Sequence, residues 1–143
     1  MTETWTRLED GLNDLLPKLR ADFAAAACFE REQRRISWPI ATGSLNGRYS
    51  RMTAGPGVGI AGYVIRHGRP VIVGASRPDP EALLRRCPLL LAERLKSAIA
   101  VPIAGGDGFV CGVLVAGTRT ERDYGEEELK LLEMSARSLL AAR

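Results

Sequence analysis

The sequence predicts an α+β fold, with one antiparallel sheet covered by helices from the two ends of the chain. Two observations predict it. Apolar residues spaced three and four apart open and close the chain, and between them short apolar runs are joined in pairs by tight polar turns. Five strands can be counted from the runs alone.

The opening helix is marked by Trp5, Leu8, Leu12, Leu15, Leu16 and Leu19, which form one stripe, and Pro17 is expected to kink or end it. The run Phe23 to Phe29 suits a helix equally well on propensity. It reads as a strand because Glu30 to Arg34 makes a polar hairpin turn into a second strand, Arg35 to Thr42. Pro39 inside that strand predicts an edge or a bulge. Gly43 to Gly47 is loop, and Arg48 to Met52 adds a short turn. The punctuation Gly55-Pro56-Gly57-Val58-Gly59 precedes a short helix that starts near Gly59 or Ile60 and is closed by Gly68. Arg69 to Val73 follows as a short strand, with Pro70 confined to its start.

Gly74 to Lys96 is the least regular stretch. It reads as loop at Arg77 to Pro80, a helical turn at Glu81 to Arg85 and a break at Cys87-Pro88. Strands Ser97 to Ile103 and Phe109 to Gly117 are joined by the hairpin connection Ala104 to Gly108. Asp123 and Glu126 read as a capping box for a last helix striped by Leu129, Leu132, Ala136 and Leu139, with Leu131 and Leu140 off the stripe.

Composition narrows the function. At 143 residues, 45% of them apolar, the chain is expected to form a single domain over 1–143 with a real core. Its longest apolar stretches, Leu89 to Ala92 and Val110 to Ala116, are far shorter than the roughly 20 residues of a membrane span. Met1 to Trp5 lacks the basic start and apolar run of a secretory signal, and three scattered cysteines make no disulfide framework. A reducing, cytoplasmic setting is expected. With one histidine, His67, and no C-x-x-C pair, metal sites are short of ligands, and no metal or cofactor is expected. A Ser-His-Asp or Cys-His enzyme would need His67 as its base, and His67 stands where a helix should stop, so catalysis is not expected.

The net charge is +3, and the arginines read as interleaved with acids, as at Glu30-Arg31-Glu32 and Arg119 to Asp123. Mixed signs without aromatic interleaving describe a solvated face, so no nucleic-acid partner is expected. Gly57-x-Gly59-x-x-Gly62 fits the dinucleotide fingerprint but lacks the preceding strand of a βαβ unit.

The Gly-rich turn into a helix, then Arg69 to Val73, then Ser97 to Ile103, then Gly112 to Gly117, resembles a GAF domain, the small-molecule-sensing fold of many signalling proteins. The resemblance covers nearly the whole chain. It implies a sheet of five to six strands with the N- and C-terminal helices packed on one face. A narrower resemblance lies in Ile36-Ser37-Trp38, Gly43 to Tyr49, Gly57 to Gly62, and Cys87-Pro88 with Leu91 to Leu95. These phrases are similar to the stand-alone nitrate-binding GAF proteins, cytoplasmic receptors that work with an oxygen-sensing histidine kinase and its response regulator. The resemblance implies nitrate and a sensor histidine kinase as partners. It also implies a ligand site with Trp38, Ile60, Ala61, Cys87 and Leu89, where Cys87 departs from the larger aromatic residue expected.

Physical chemistry makes such a site coherent. A helix N-terminus leaves amides unpaired at the positive end of its dipole, so Gly59, Ile60 and Ala61 can present donors to a small anion. The Trp38 indole adds one donor, and Ile60, Leu89 and Ile99 are expected to exclude water. Nitrate is monovalent and weakly hydrated, whereas phosphate would more often call for Arg or Lys. Arg48 and Arg51 are expected on the surface, and either one pointing inward would favour a carboxylate or phosphate ligand. Cys28 and Cys111 read as small core residues, and Cys87, beside Pro88, as the cysteine expected to be exposed and reactive. Two alternatives remain. One is a reductase of free methionine sulfoxide, although Gly57 to Val64 holds no cysteine. The other is an interaction module whose terminal helices pair with a kinase or with a second copy as a homodimer.

Overall fold

The computed structural model describes residues 2–74 and 87–141. The expected loop and turn at 77–85 lie outside them. The elements are α1 (Thr2–Leu19), β1 (Phe23–Glu30), β2 (Arg35–Thr42), a 3-10 turn (Arg48–Arg51), β3 (Thr53–Ala54) and α2 (Gly59–His67). They continue with β4 (Val71–Val73), α3 (Pro88–Ala92), β5 (Ser97–Ala104), β6 (Val110–Thr118) and α4 (Glu126–Ala141). The strands pair antiparallel in the order β3-β2-β1-β6-β5-β4.

Both faces of this sheet are covered, which is why its central strands read as unbroken apolar runs. Phe23, Ala25, Ala27, Ala98, Ala100, Val113 and Val115 face one cluster, shared with α2 and α3. Their neighbours Ala24, Ala26, Ile99, Val101, Leu114 and Ala116 face the other, shared with Leu12, Leu15 and Leu19 of α1 and Leu132 and Ala136 of α4. The terminal helices therefore lie on one face, as the resemblance implied. Burying a leucine such as Leu114 or Leu132 completely is worth about 1.5–3 kcal/mol. The side chains of Trp5, Leu8, Leu139 and Leu140 lie outside the described ones, and Leu131, off the stripe, is partly buried against this second cluster.

Several local readings change. The sixth strand, β3, has two residues that pair only with Ile36 and Ser37, too few for a period to register in sequence. Pro17 does not stop α1, which runs two residues further. The helix ends in a Schellman pattern instead: Arg20 is left-handed at φ 54°, its amide donates to the Pro17 carbonyl, and the Ala21 amide donates to Leu16. The helix start is also displaced, and only the reciprocal half of a capping box forms, because Gly125 has no side chain to cap with. The helix α4 begins at Glu126, and the Gly125 amide donates to Glu128 Oε1 at 3.3 Å. Arg122 joins the two terminal helices, donating to the carbonyls of Leu19 (2.8 Å) and Arg20 (3.1 Å) and to Glu128 Oε1 (3.2 Å).

Pro39 lies at a bulge, as the sequence predicted. Ala26 pairs with Ile40 and Cys28 with Ser37, so Trp38 and Pro39 together stand opposite Ala27. The extra residue reverses the alternation of β2. Ile36 and Trp38 turn to the α2 and α3 face, whereas Ile40 turns to the terminal helices. An even alternation through β2 would put Trp38 and Ile40 on the same face. The bulge is thus what aims the tryptophan at the candidate site.

Candidate ligand-binding site

The helix α2 packs across β4, β5 and β6 and starts beside α3. Its first residue, Gly59, sits at φ 71°, where a side chain would be strained, and a Cβ there would lie 3.3 Å from Cys87 Sγ. Preceding it, Val58 has extended N-cap geometry and offers no capping side chain. The first helical hydrogen bond is from the Gly62 amide to the Val58 carbonyl at 3.2 Å, so the amides of Gly59, Ile60 and Ala61 have no helical acceptor. The helix closes at left-handed Gly68. His67, its last residue, is exposed and packs against the Tyr63 ring at 4.4 Å, outside the site.

Trp38, Ile60, Ala61, Cys87 and Leu89 meet in one buried apolar cluster, and Gly59 adjoins it. Ile99 does not join them. Strand alternation turns it to the terminal helices, and its neighbours Ala98 and Ala100 face the site side in its place. Because both faces of β5 are covered, nothing in its apolar run told the two faces apart. Arg48 and Arg51 are exposed on the 3-10 turn, as expected.

Cys87 is not exposed, contrary to expectation: it is buried at 3%. Pro88 starts α3 and turns the cysteine inward as its N-cap, beside Gly59. Burial pushes the thiol pKa up, and hydrogen bonds from the amides of Ile60, Leu90 and Leu89 toward the sulfur counter only part of that. The folded protein is expected to protect Cys87 from iodoacetamide near pH 8, while Cys28 and Cys111, both half-buried, react sooner. Peptide mapping by mass spectrometry checks this, and early alkylation of Cys87 would contradict the geometry. The raised pKa also sets a sign. Above the ordinary thiol range the unfolded chain loses a proton that the folded chain keeps, so this group makes stability fall as pH rises there.

Glu93 was not singled out by the sequence reading. Its one signal is an acid set in the apolar run Leu89 to Leu95. It is completely buried at the end of α3. Its carboxylate accepts the Ser44 hydroxyl, the Leu45 amide at 2.8 Å and Arg119 Nη2 at 3.0 Å. Arg119 also donates to the carbonyls of Glu93 (2.9 Å) and Gly43 (2.8 Å), and the Asn46 amide group donates to Ala92. Gly43 holds φ 77°, and a Cβ there would lie 2.1 Å from the Asp22 carbonyl oxygen. This clamp ties the loop after β2 to α3, which carries Cys87 and Leu89.

A profile of the GAF domain matches residues 6–142. No curated protein matches the sequence. Among solved structures, the chain is similar to a Staphylococcus aureus NreA protein mutated in its nitrate binding site, at 26% identity and a TM-score of 0.72, covering 85% of this chain and 89% of that one. It is also similar to the hypothetical protein SA1058 of S. aureus, at 29% identity and a TM-score of 0.70, covering 82% and 96%. A type II free methionine-R-sulfoxide reductase from Thermoplasma acidophilum shares the fold alone, at 13% identity and a TM-score of 0.77, covering 99% and 92%. No described helix is long and apolar enough to cross a membrane.

Proposed function

The chain belongs to the GAF domain family, and from that premise we propose that it is a receptor for a small monovalent anion, with nitrate as its ligand. The observation that carries this reading is the start of α2: a helix N-terminus with no capping side chain, set against an apolar cluster, where the Ile60 amide meets only the Cys87 sulfur. A few neutral donors suffice for an ion that is weakly hydrated and a poor base, whereas phosphate more often calls for Arg or Lys among its direct partners. The likeness to NreA supports nitrate in particular. The receptor acts in the cytoplasm: binding orders the start of α2 and the adjoining α3, and a partner sensor histidine kinase of a two-component system reads the change. A thiol held protonated by burial works against the cysteine chemistry of a sulfoxide reductase.

Calorimetric titration with nitrate, beside chloride, nitrite and phosphate, tests the reading. Heat and a thermal shift are expected with nitrate, and neither at millimolar concentrations would end it. Trp38→Phe keeps an aromatic ring but removes the indole donor and part of the ring volume. It is expected to weaken nitrate binding by about 1 kcal/mol, roughly fivefold. Unchanged affinity would exclude the indole from the site. Loss of methionine sulfoxide in the presence of a thiol reductant would favour the enzyme instead.

A further inference from the structure

The basic excess is concentrated in one stretch of the chain. Between Glu32 and Asp79 there are seven arginines and no acidic residue. That stretch includes β2, the 3-10 turn, β3, α2 and β4, the half of the fold that carries the candidate site. The interleaved pattern expected from sequence holds only outside it.

One helix from outside that stretch, α3, packs on its 3-10 turn. Its inner side is Leu89 and Leu90, and its outer side is Pro88 and Leu91, one turn apart and both exposed. Val58 stands near its start, because Gly59 adjoins Cys87, and Leu45 stands near its end, because the Leu45 amide binds Glu93. These three, Leu45 at 52%, Val58 at 50% and Leu91 at 55% exposure, are half of the exposed large apolar side chains among the described residues. Around them are exposed cations. Arg48 and Arg51 lie on the 3-10 turn that packs on α3, Arg94 follows its C-cap Glu93, and Arg66 reaches back over Gly57, next to Val58. Glu93, the acid at this helix, is buried on Arg119 and offers no surface charge.

We propose that the outer side of α3 is the docking surface for a partner protein that presents an apolar anchor flanked by carboxylates. Charge complementarity selects an acidic partner, and the aliphatic centre selects a protein over a nucleic acid, which would be met by aromatic stacking residues. The surface stands on its own observations. Its coupling to ligand rests on the nitrate reading, since Cys87 and Leu89 back onto the candidate site while Leu91 faces outward.

The test selects binders from a random-peptide display library on the full chain, then measures fluorescein-labelled versions of the enriched peptides by anisotropy. Enriched peptides are expected to carry Asp or Glu around Leu, Ile or Phe. Leu91→Asp, and separately Arg48→Glu with Arg51→Glu, are each expected to weaken them about tenfold or more. No enrichment, no acidic bias, or affinity unchanged in both variants overturns the proposal. So does a labelled single-stranded oligonucleotide whose binding is lost in the arginine variant, or a dimer that Leu91→Asp dissociates in sedimentation. Nitrate calorimetry on Leu91→Asp is expected to match the unaltered chain. If neither protein binds nitrate, the ligand reading fails, while the peptide result still decides the surface.

Discussion

Glu93→Ala is expected to lower the melting temperature by about 10 °C or more. Removing one partner of a buried, hydrogen-bonded ion pair costs about 3–5 kcal/mol, because the other partner is left in low dielectric without compensation. Here the carboxylate is wholly buried and has three donors: the Ser44 hydroxyl, the Leu45 amide and Arg119 Nη2. In a domain of this size each kcal/mol moves the midpoint by about 2–5 °C. Arg119 keeps its carbonyl partners at Glu93 and Gly43, so it would stay in place with part of its charge unanswered. The double variant Glu93→Ala with Arg119→Ala is therefore expected to cost less than the sum of the two singles. Thermal melts of the three variants check this. A shift of only a few degrees for Glu93→Ala would mean that water replaces the carboxylate at no loss. Because the clamp holds α3, and α3 carries Cys87 and Leu89, nitrate affinity is expected to fall along with stability.

This clamp also shows which features the sequence could not reveal. Turns and caps are local, so Glu30 to Arg34, Ala104 to Gly108 and Gly68 announce their elements in a few residues, and the structure puts the hairpins and the end of α2 at those places. The burial of Glu93 depends on Ser44 and Arg119, which are far away in the chain, and no periodicity links them. Ile99 and Cys87 fail for related reasons. A strand covered on both faces hides which residue points where, and a cysteine beside a proline reads as loop until the helix that begins there turns it inward. Trp38 is the instructive opposite. Pro39 signalled a bulge, and the bulge separates the tryptophan from Ile40 and turns it toward α2. Four of the side chains expected at the site therefore join Trp38 in one cluster, although the reading had no way to exclude Ile99.

Val58→Asp is expected to move stability and ligand affinity in opposite directions. Val58 holds extended N-cap dihedrals, φ −103° and ψ 121°, is half exposed, and caps nothing. Asp is among the preferred residues in that geometry, because its carboxylate accepts the amides two and three positions on, here those of Ile60 and Ala61. Supplying the cap is expected to stabilise the fold by about 1 kcal/mol, with the helix dipole adding to the gain. The amides it takes up are those the proposed ligand would use. Its charge also repels an incoming anion: two like charges about 4 Å apart interact by about 4 kcal/mol at an effective dielectric near 20. Nitrate affinity is therefore expected to drop about a hundredfold or more, equivalent to roughly 2.7 kcal/mol. Val58→Asn separates the two causes, since it caps without charge and is expected to weaken nitrate by a smaller factor at similar stability. A melt and a nitrate titration on each variant decide the matter. A higher midpoint with lost nitrate heat places the ligand at the start of α2, and a higher midpoint with unchanged nitrate heat moves the ligand elsewhere. A lower midpoint would mean that the Ile60 amide does not leave the Cys87 sulfur for the new cap, and that an anion has no donor there to find.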